Sequence, residues 1–340
     1  MNKKSSIYII LALCLALLYG IPEAKAQNFW ITNDNAAHNL IWNDKIYRQI
    51  SFLSDTLCAG RATGTRGSSE AGFWIYGKFR KSGLIPFANN SYAQHIYAGK
   101  GTVGHNITGF LPGSLTKPAD KYIIVCAHYD HLGKLGEKTY PGADSNASGV
   151  SVLLNLADMF SAMRKAGRTY TTSLIFVAFD GKEMNMAGSK SFWNMIENGD
   201  LKDPVSGETV TKEKIILAIN MDQIGSSLSP LSSGRKDYLI MLDGGNLTKS
   251  QKETLSLCNR FYGTQLELSD SYYGSENFTR VFYGLSDHKI FADNGIPAVF
   301  FTSGITMNTF KTTDTVNTLD IDILRKRTIL IYHWIEKMMK

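Results

Sequence analysis

Four short apolar runs in this chain are each followed by polar residues of the kind that bind metals or act in catalysis. The runs cover residues 122–127, 173–179, 215–219 and 298–301. They are rich in Val, Ile and Phe, which is typical of strands that are buried on both faces of a parallel sheet. Because ligands bind outside the carboxyl ends of such strands, we expect the residues that follow the runs to converge on one site.

Stretches with the apolar spacing of helices alternate with these runs. Such stretches cover residues 46–55, 69–82, 148–165, 189–198, 248–262, 287–294 and 321–339. Further strands are predicted at residues 92–97 and 103–111, as an antiparallel hairpin, and at residues 238–242 and 265–269. This alternation predicts an α/β fold with a mostly parallel central sheet, mixed at its edge, and helices on both faces.

The first 26 residues have the pattern of a secretory signal peptide. A basic stretch precedes an apolar run at residues 7–18, and small residues before Gln27 fit a cleavage site. The run is too short to span a bilayer as a stable helix, although a retained anchor is the alternative interpretation. We therefore expect a secreted or periplasmic protein with no membrane attachment after cleavage. Residues 27–340 are expected to form one domain, with a helical segment at residues 27–85 packed against it.

Composition and charge exclude some classes of function. The chain has 340 residues, and its 44% apolar and 19% charged content is ordinary for a globular protein. The formal net charge of +6 falls by two without the signal peptide, which holds three lysines and one glutamate. So small a charge, with no basic stripe among aromatic residues, argues against nucleic-acid binding. No CxxC pair exists, so a thiolate zinc site is not expected, but a Cys58–Cys258 disulfide is possible in an oxidising compartment.

Polar residues after the first apolar run have the pattern of a metal site. His128 and Asp130 are two positions apart at a strand end, so both face the same side. A carboxylate beside a histidine commonly holds a metal-binding imidazole in one tautomer. The turn at residues 141–149 is rich in small residues, which let a backbone approach a ligand closely. Within it, Asp144 or Ser145 could cap the following helix.

Five ordered segments resemble the motifs of the secreted zinc aminopeptidases of metallopeptidase clan MH, whose relatives include glutaminyl cyclases. The segments are AHYDHLG, GADSNASG, FVAFDGKEMNMAGS, INMDQIG and SDHKIFADNGIPAVFF. The resemblance includes LCAGRATGTRGSSEAG and HNITGFLPG and extends over essentially the whole mature chain. It implies a zinc exopeptidase architecture of the phosphorylase/hydrolase-like type, with two zinc ions at the carboxyl edge of the sheet.

Several positions match functional residues of the family. By this resemblance, His128, Glu183 and Asp222 correspond to zinc ligands, and Asp130 corresponds to the acid that orients the histidine. Other residues are expected near the site because they lie in or beside the motifs, and Tyr272 because it could line the cleft and stack on a ligand. These near-site residues are Asp144, Asp287, His288, Tyr272 and Lys311. An ordinary surface aromatic is the alternative interpretation of Tyr272.

Three other positions depart from the family pattern. Ser145 stands where the family has its bridging aspartate, and Lys182 stands where it has the general-base glutamate. Phe310 stands where it has the last ligand histidine. A hydrolytic zinc site needs about three protein ligands, and an ammonium close to a dication opposes its binding. We therefore expect zinc binding to be weak or absent.

The lysine suggests what replaces the metal. We expect Lys182 to pair with Asp222, Asp130 or Asp144 and to replace a dication electrostatically, with Lys311 as a second cation nearby. A solvated loop lysine is the alternative interpretation, because lysine is usually exposed.

The resulting prediction is a secreted protein with an aminopeptidase fold that has lost zinc catalysis and binds a peptide or small-molecule ligand in its cleft. The alternative is an active zinc aminopeptidase with rearranged ligands, recruited from His131, Asp144, Asp287 and His288. A single-zinc glutaminyl cyclase is a weaker alternative, because it would need ligands at the Ser145 and Phe310 positions. A structural relic without a ligand is the remaining possibility, because fold does not imply function.

Overall fold

A twisted sheet of eight strands lies at the centre of the part of the chain that the structure describes. The structure is a computed structural model, and it describes residues 35–87, 90–114, 120–227 and 234–340. The predicted signal peptide lies outside the described residues. The segment Ala36–Lys340 forms one unit. No helix within the described ranges is both long and apolar enough to cross a membrane.

The strands follow the order β1-β2-β6-β3-β7-β10-β8-β9 across this sheet. Their bounds are Ala93–Tyr97 (β1), Val103–Leu111 (β2), Lys121–His128 (β3), Thr172–Phe179 (β6), Ile215–Met221 (β7), Tyr238–Leu242 (β8), Glu267–Ser269 (β9) and Ala298–Thr302 (β10). A separate two-stranded sheet pairs Gly133–Leu135 (β4) with Lys138–Tyr140 (β5). The central strands β6, β3, β7 and β10 are parallel, whereas the pairs β1–β2, β2–β6 and β10–β8 are antiparallel.

Helices cover both faces of the sheet. Their bounds are Asn43–Leu53 (α1), Arg66–Ser82 (α2), Gly149–Lys165 (α3), Ala187–Glu197 (α4), Lys249–Phe261 (α5), Glu276–Tyr283 (α6), His288–Asp293 (α7) and Ile321–Met338 (α8). Local signals set several of these ends. The Thr65 hydroxyl accepts the Ser68 amide at the start of α2, and Gly83, with φ of 84°, ends that helix in the left-handed region.

The predicted fold class is confirmed by this architecture. All four apolar runs lie in the central parallel strands, where the side chains are buried on both faces of the sheet. The predicted hairpin is also present, with His95 of β1 opposite His105 of β2. Helix ends differ from the predicted ends by up to three residues, because capping geometry rather than apolar spacing sets them.

Two elements and one covalent link differ from the predictions. The β4–β5 hairpin and helix α6 were not predicted, because the first has mostly exposed polar strands and the second follows a loop rich in Ser, Tyr and Gly. The Cys58–Cys258 disulfide that sequence reasoning allowed is not present. Both thiols are free and buried, and burial raises the pKa of Cys58 to about 11 and of Cys258 to about 12.

Candidate functional site at the carboxyl edge of the sheet

Three neighbouring parallel strands bring the main candidate residues to one edge of the sheet. His128 is the last residue of β3, Lys182 and Glu183 follow β6, and Asp222 directly follows β7. Strand β3 lies between β6 and β7 and runs parallel to both. The carboxyl ends of these strands therefore place the four side chains together, as the apolar pattern predicts.

His128 lies between two carboxylates in the protein interior. Its Nε2 is 3.2 Å from Oδ1 of Asp222, and its Nδ1 is 3.4 Å from Oδ1 of Asp130. Burial alone would lower the pKa of His128, but the two carboxylates raise it to about 10. Burial would raise the pKa of Asp222, but Lys182 and His128 lower it well below its usual range. The imidazolium and both carboxylates therefore form one ionised chain.

The ammonium of Lys182 extends this chain of charges. Its Nζ donates to Oε1 of Glu183 at 3.0 Å and lies 3.8 Å from Oδ2 of Asp222. Only 12% of the side chain is exposed, so Lys182 is not a solvated loop lysine. Burial opposes its charge, but Asp222 and Glu183 raise the pKa of Lys182 above its ordinary value.

Asp130 binds the loop that carries Lys182 rather than the ammonium itself. Its carboxylate accepts the Lys182 amide at 3.1 Å and the Glu183 amide at 2.9 Å. Burial would raise the pKa of Asp130, but hydrogen bonds from His128 and from these amides lower it. Asp130 therefore fixes both the imidazole and the loop after β6.

The turn before α3 forms a second part of the site. The Asp314 carboxylate accepts the backbone amides of Asp144 at 2.8 Å and of Ser145 at 3.1 Å. Asp144 accepts the Gly225 amide at 2.7 Å with Oδ1, whereas its buried Oδ2 has no hydrogen-bond partner. Burial, with help from the charge of Asp314, raises the pKa of Asp144 to about 7.

Neither residue of this turn caps α3 with its side chain, contrary to our expectation. Asp144 is occupied by the Gly225 amide and by the Ser148 hydroxyl. The amide of Gly149, the first residue of α3, instead donates to Oδ1 of Asn146 at 3.0 Å. The cap therefore comes from the residue immediately after the predicted ones.

Phe310 covers one side of the site. Its ring stacks on His131 with a centroid separation of 6.1 Å, and Nζ of Lys182 lies 5.8 Å from its centroid. The side chain is 46% exposed, so the ring forms part of the cleft surface. Both ring nitrogens of His131 are buried without a hydrogen-bond partner, and burial lowers its pKa to about 3.

Asp287 and His288 are fully buried at the start of α7, behind the ionised chain. Burial raises the pKa of Asp287 to about 6 and lowers the pKa of His288 to about 3. The His288 ring stacks on Phe300 with centroids 4.7 Å apart, and its Nε2 has no hydrogen-bond partner.

A pocket of about 190 Å³ opens beside these charges. Its lining combines the polar residues of the site with apolar walls from β10, α6 and the loops that follow them. The lining residues are Ser145, Lys182, Asp222, Gln223, Phe282, Leu285, Phe300, Thr302, Ile305, Thr309 and Phe310. The pocket can therefore hold an apolar group next to a buried ion pair.

Two residues that we expected near the site do not line the pocket. Tyr272 is 1% exposed and stacks on Phe282 with centroids 4.1 Å apart, so it supports the pocket wall from behind. Its hydroxyl accepts the Ile305 amide at 2.8 Å, which explains why the phenol is buried. Lys311 is exposed and does not line the pocket, so it is not a second cation of the buried cluster.

Sequence reasoning missed two residues that fix the site. The Ser286 hydroxyl donates to Oδ2 of Asp222 at 2.6 Å. Arg61 is fully buried and donates to four backbone carbonyls, one at the end of α1 and three in loops around the site. The acceptors are Leu53, Tyr129 (2.6 Å), Pro141 (2.7 Å) and Gly142 (2.8 Å). Arg61 lies in a Gly- and Thr-rich loop whose composition predicts only a loop, so no sequence signal marked its role.

Most residues of this site lie within a stretch of the chain that matches a known protein family. The model for peptidase family M28 matches residues 106–335, which is more than half of the chain. The chain belongs to peptidase family M28. The family match includes the strands that carry His128, Lys182 and Asp222, together with α7 and most of α8.

This M28 chain is similar to curated proteins in sequence and to solved structures in fold. BOS complex subunit NCLN of Homo sapiens is 34% identical over 108 residues, which is 32% of this chain and 18% of that protein. The matched segment thus spans less than a fifth of that relative. Among solved structures, a zinc aminopeptidase from Bacillus subtilis has a TM-score of 0.64 at 14% identity and covers 88% of this chain and 95% of that chain.

A glutaminyl cyclase from Macrostomum lignano has a TM-score of 0.66 at 17% identity and covers 91% of this chain and 92% of that chain. At such low identity, the two structures show that the M28 chain shares their fold and no more. The site must therefore be judged from its own residues.

The residues present do not fit the two zinc ions implied by the resemblance to zinc aminopeptidases. Two of the three matched donors, Glu183 and Asp222, already neutralise the Lys182 ammonium. An ammonium in that position opposes a dication, and the benzyl group of Phe310 offers no ligand atom. Across the described ranges, no three His, Cys, Asp or Glu side chains are grouped in a way that could hold a metal ion.

Proposed function

We propose that this M28 protein does not hydrolyse peptides through a zinc centre, and that it binds a peptide or a small molecule in its cleft. The observation that carries this proposal is the position of the Lys182 ammonium, 3.0 Å from Glu183 and 3.8 Å from Asp222. A buried cation there satisfies the charge that a metal would satisfy. The signal-peptide pattern supports a secreted or periplasmic location for this activity.

The chemistry of the lysine supports the same conclusion. Hydrolysis in such a site needs a carboxylate base that takes a proton from the attacking water. A lysine ammonium has three donor hydrogens and no acceptor, and Lys182 directs one of them at Glu183. The group at the position of the general base therefore acts as a structural cation.

The pocket supports a role in binding. Its walls include Phe282, Leu285, Phe300 and Ile305, and its mouth includes the half-exposed ring of Phe310. An apolar pocket with a few directed polar groups is the usual form of a ligand site. An apolar side chain of a peptide would fit beside the ion pair. The similarity to a protein named as a subunit of a complex also supports a binding role.

An active zinc exopeptidase with rearranged ligands is the second candidate. Buried polar atoms without hydrogen-bond partners favour it, because such atoms are costly unless something satisfies them. One of them is Nε2 of His128, a matched zinc ligand, and others belong to His131, Asp144, Asp287 and His288, the residues that rearrangement would recruit. His131 is covered by Phe310, however, and Asp144 already holds the Gly225 amide.

Peptide hydrolysis and ligand binding, measured on the mature chain, separate the two candidates. We expect no chelator-sensitive release of N-terminal residues from aminoacyl p-nitroanilides, with or without added zinc. We expect peptides with apolar side chains to raise the melting temperature, because a ligand that binds only the folded state stabilises it. Chelator-sensitive hydrolysis that disappears in the H128A variant would contradict the proposal and establish the second candidate.

A further inference from the structure

A second pocket, which shares no residue with the cleft, lies between helices α1, α2 and α3. It has a volume of about 570 Å³, which is within the range of small-molecule sites. Its lining combines cationic and aromatic side chains from the three helices and the residue before α1. The lining residues are Trp42, Asp44, Lys45, Arg48, Gln49, Phe52, Trp74, Lys78, Lys81 and Asp158.

Cations outnumber carboxylates in this pocket by four to two. The two carboxylates are already used, because Lys45 lies 2.7 Å from Asp158 and Arg48 lies 3.0 Å from Asp44. Within the described part of the chain, no carboxylate lies within salt-bridge distance of Lys78 or Lys81. Two ammonium groups of the pocket, those of Lys78 and Lys81, therefore have no salt-bridge partner among the described residues.

Aromatic rings hold one of these ammonium groups in position. Nζ of Lys78 lies 4.7 Å from the ring centroid of Trp74, within the range of a cation–π contact. The Trp74 ring also stacks on Phe52, with centroids 4.6 Å apart and planes 17° from parallel. Lys78 is thus packed on a rigid ring rather than extended into solvent.

The environment of the pocket disfavours the charged form of Lys78. Burial, followed by the charge of Lys81, lowers the pKa of Lys78 below its ordinary value, although the Asp158 carboxylate opposes this shift. An anion between the ammonium groups would relieve this repulsion. Charge-assisted hydrogen bonds from ammonium to a phosphate-type oxyanion are among the stronger ones in proteins.

Trp42 adds an apolar surface at the rim of the pocket. Its side chain is 52% exposed, and Lys45 lies 5.4 Å from its ring centroid. A large aromatic residue that stays half-exposed beside a pocket is typical of a binding surface. A ring carried by the ligand would pack on it while the anionic group meets Lys78 and Lys81.

We propose that this pocket binds a small ligand in which a phosphate-type oxyanion is attached to a ring, with Lys78 and Lys81 as the anion contacts and Trp42 as the ring contact. The site is independent of the cleft. Experiments can therefore support or contradict the proposal for this pocket independently of the proposed function of the cleft.

Titration calorimetry of the mature chain at constant ionic strength tests this proposal with three probes. The probes are glucose 6-phosphate, inorganic phosphate and glucose. We expect saturable binding of glucose 6-phosphate, weaker binding of phosphate and no binding of glucose. The K78M and K81M variants should each weaken glucose 6-phosphate binding about tenfold, as loss of about 1.4 kcal/mol requires. The W42A variant should weaken glucose 6-phosphate binding but not phosphate binding.

The control is K249M, because Lys249 is an exposed lysine on α5 with 90% of its side chain in solvent. It should leave binding unchanged. Binding that falls equally in K249M would mean that net charge alone attracts the anion, and would overturn the site. Absence of saturable binding by both phosphate compounds would overturn it as well. Phosphate binding as tight as that of glucose 6-phosphate would overturn the part played by the ring.

Discussion

Replacing Lys182 by methionine removes the ammonium and keeps most of the side-chain volume. At an effective dielectric constant of about 20, one charge pair at 3.0 Å and one at 3.8 Å attract by about 5 and 4 kcal/mol respectively. Most of this attraction is offset by the desolvation of the ions, which costs several kcal/mol per ion. Removing one partner of a buried pair typically costs about 3–5 kcal/mol.

We expect K182M to lie near the lower end of that range, at about 3 kcal/mol. Asp222 keeps His128 at 3.2 Å and the Ser286 hydroxyl at 2.6 Å, and the Glu183 side chain is 20% exposed. For a unit of this size, such a loss lowers the melting temperature by about 5 °C. The matched control is K311M, because Lys311 is a nearby exposed lysine. It should change stability by less than about 0.5 kcal/mol.

Thermal unfolding with and without zinc gives the decisive comparison. The wild-type chain should show no zinc-dependent stabilisation, because the ammonium already occupies the anionic site. K182M leaves Glu183 and Asp222 without the ammonium. Added zinc, which binds histidine in its neutral form, should displace the proton of His128 and recover part of the lost stability. A K182M variant as stable as the wild type, or a wild type that zinc stabilises more than the variant, would refute the view that Lys182 replaces a metal.

Three further predictions concern other parts of the molecule. R61M should lose about 3 kcal/mol of unfolding free energy in urea, because four backbone carbonyls lose a buried donor. The control is R66M, because Arg66 is exposed. Equal stability of the two variants would contradict the role of Arg61. F310A should bind peptides less tightly, because the half-exposed ring of Phe310 forms part of the cleft surface. Its melting temperature should change by no more than about 2 °C. Unchanged peptide affinity would show that Phe310 is not part of the binding site. Alkylation of the unfolded chain without reductant should label both Cys58 and Cys258, and labelling that requires a reductant would show a disulfide.

The sequence predicts the centre of the fold well because burial on both faces leaves a strong signal. Strands β3, β6, β7 and β10 are almost wholly apolar, and their ends carry the polar residues of the site. The weak β4–β5 hairpin leaves no such signal, since its strands are three residues long and mostly exposed or half-buried. Apolar periodicity cannot mark an element that buries so little.

The site is only partly predictable for a related physical reason. Strand ends determine that His128, Lys182 and Asp222 lie together, but side-chain contacts depend on loops. Three carboxylates were expected as possible partners of Lys182. The structure places one of them, Asp222, at 3.8 Å and adds Glu183, which was not among the three, at 3.0 Å. Tyr272 does not line the pocket, because its hydroxyl accepts the backbone amide of Ile305 and its ring stacks on Phe282 behind the pocket wall.

Metal content of the purified wild-type protein shows most directly whether Lys182 replaces a metal. The chain is dialysed against buffer with zinc and then against buffer without zinc, and bound zinc per chain is measured by atomic emission. We predict a ratio of zinc to protein near zero, because Lys182 neutralises Glu183 and Asp222. One or two zinc ions retained per chain would contradict it and would show that the buried polar atoms of the site rearrange to bind metal.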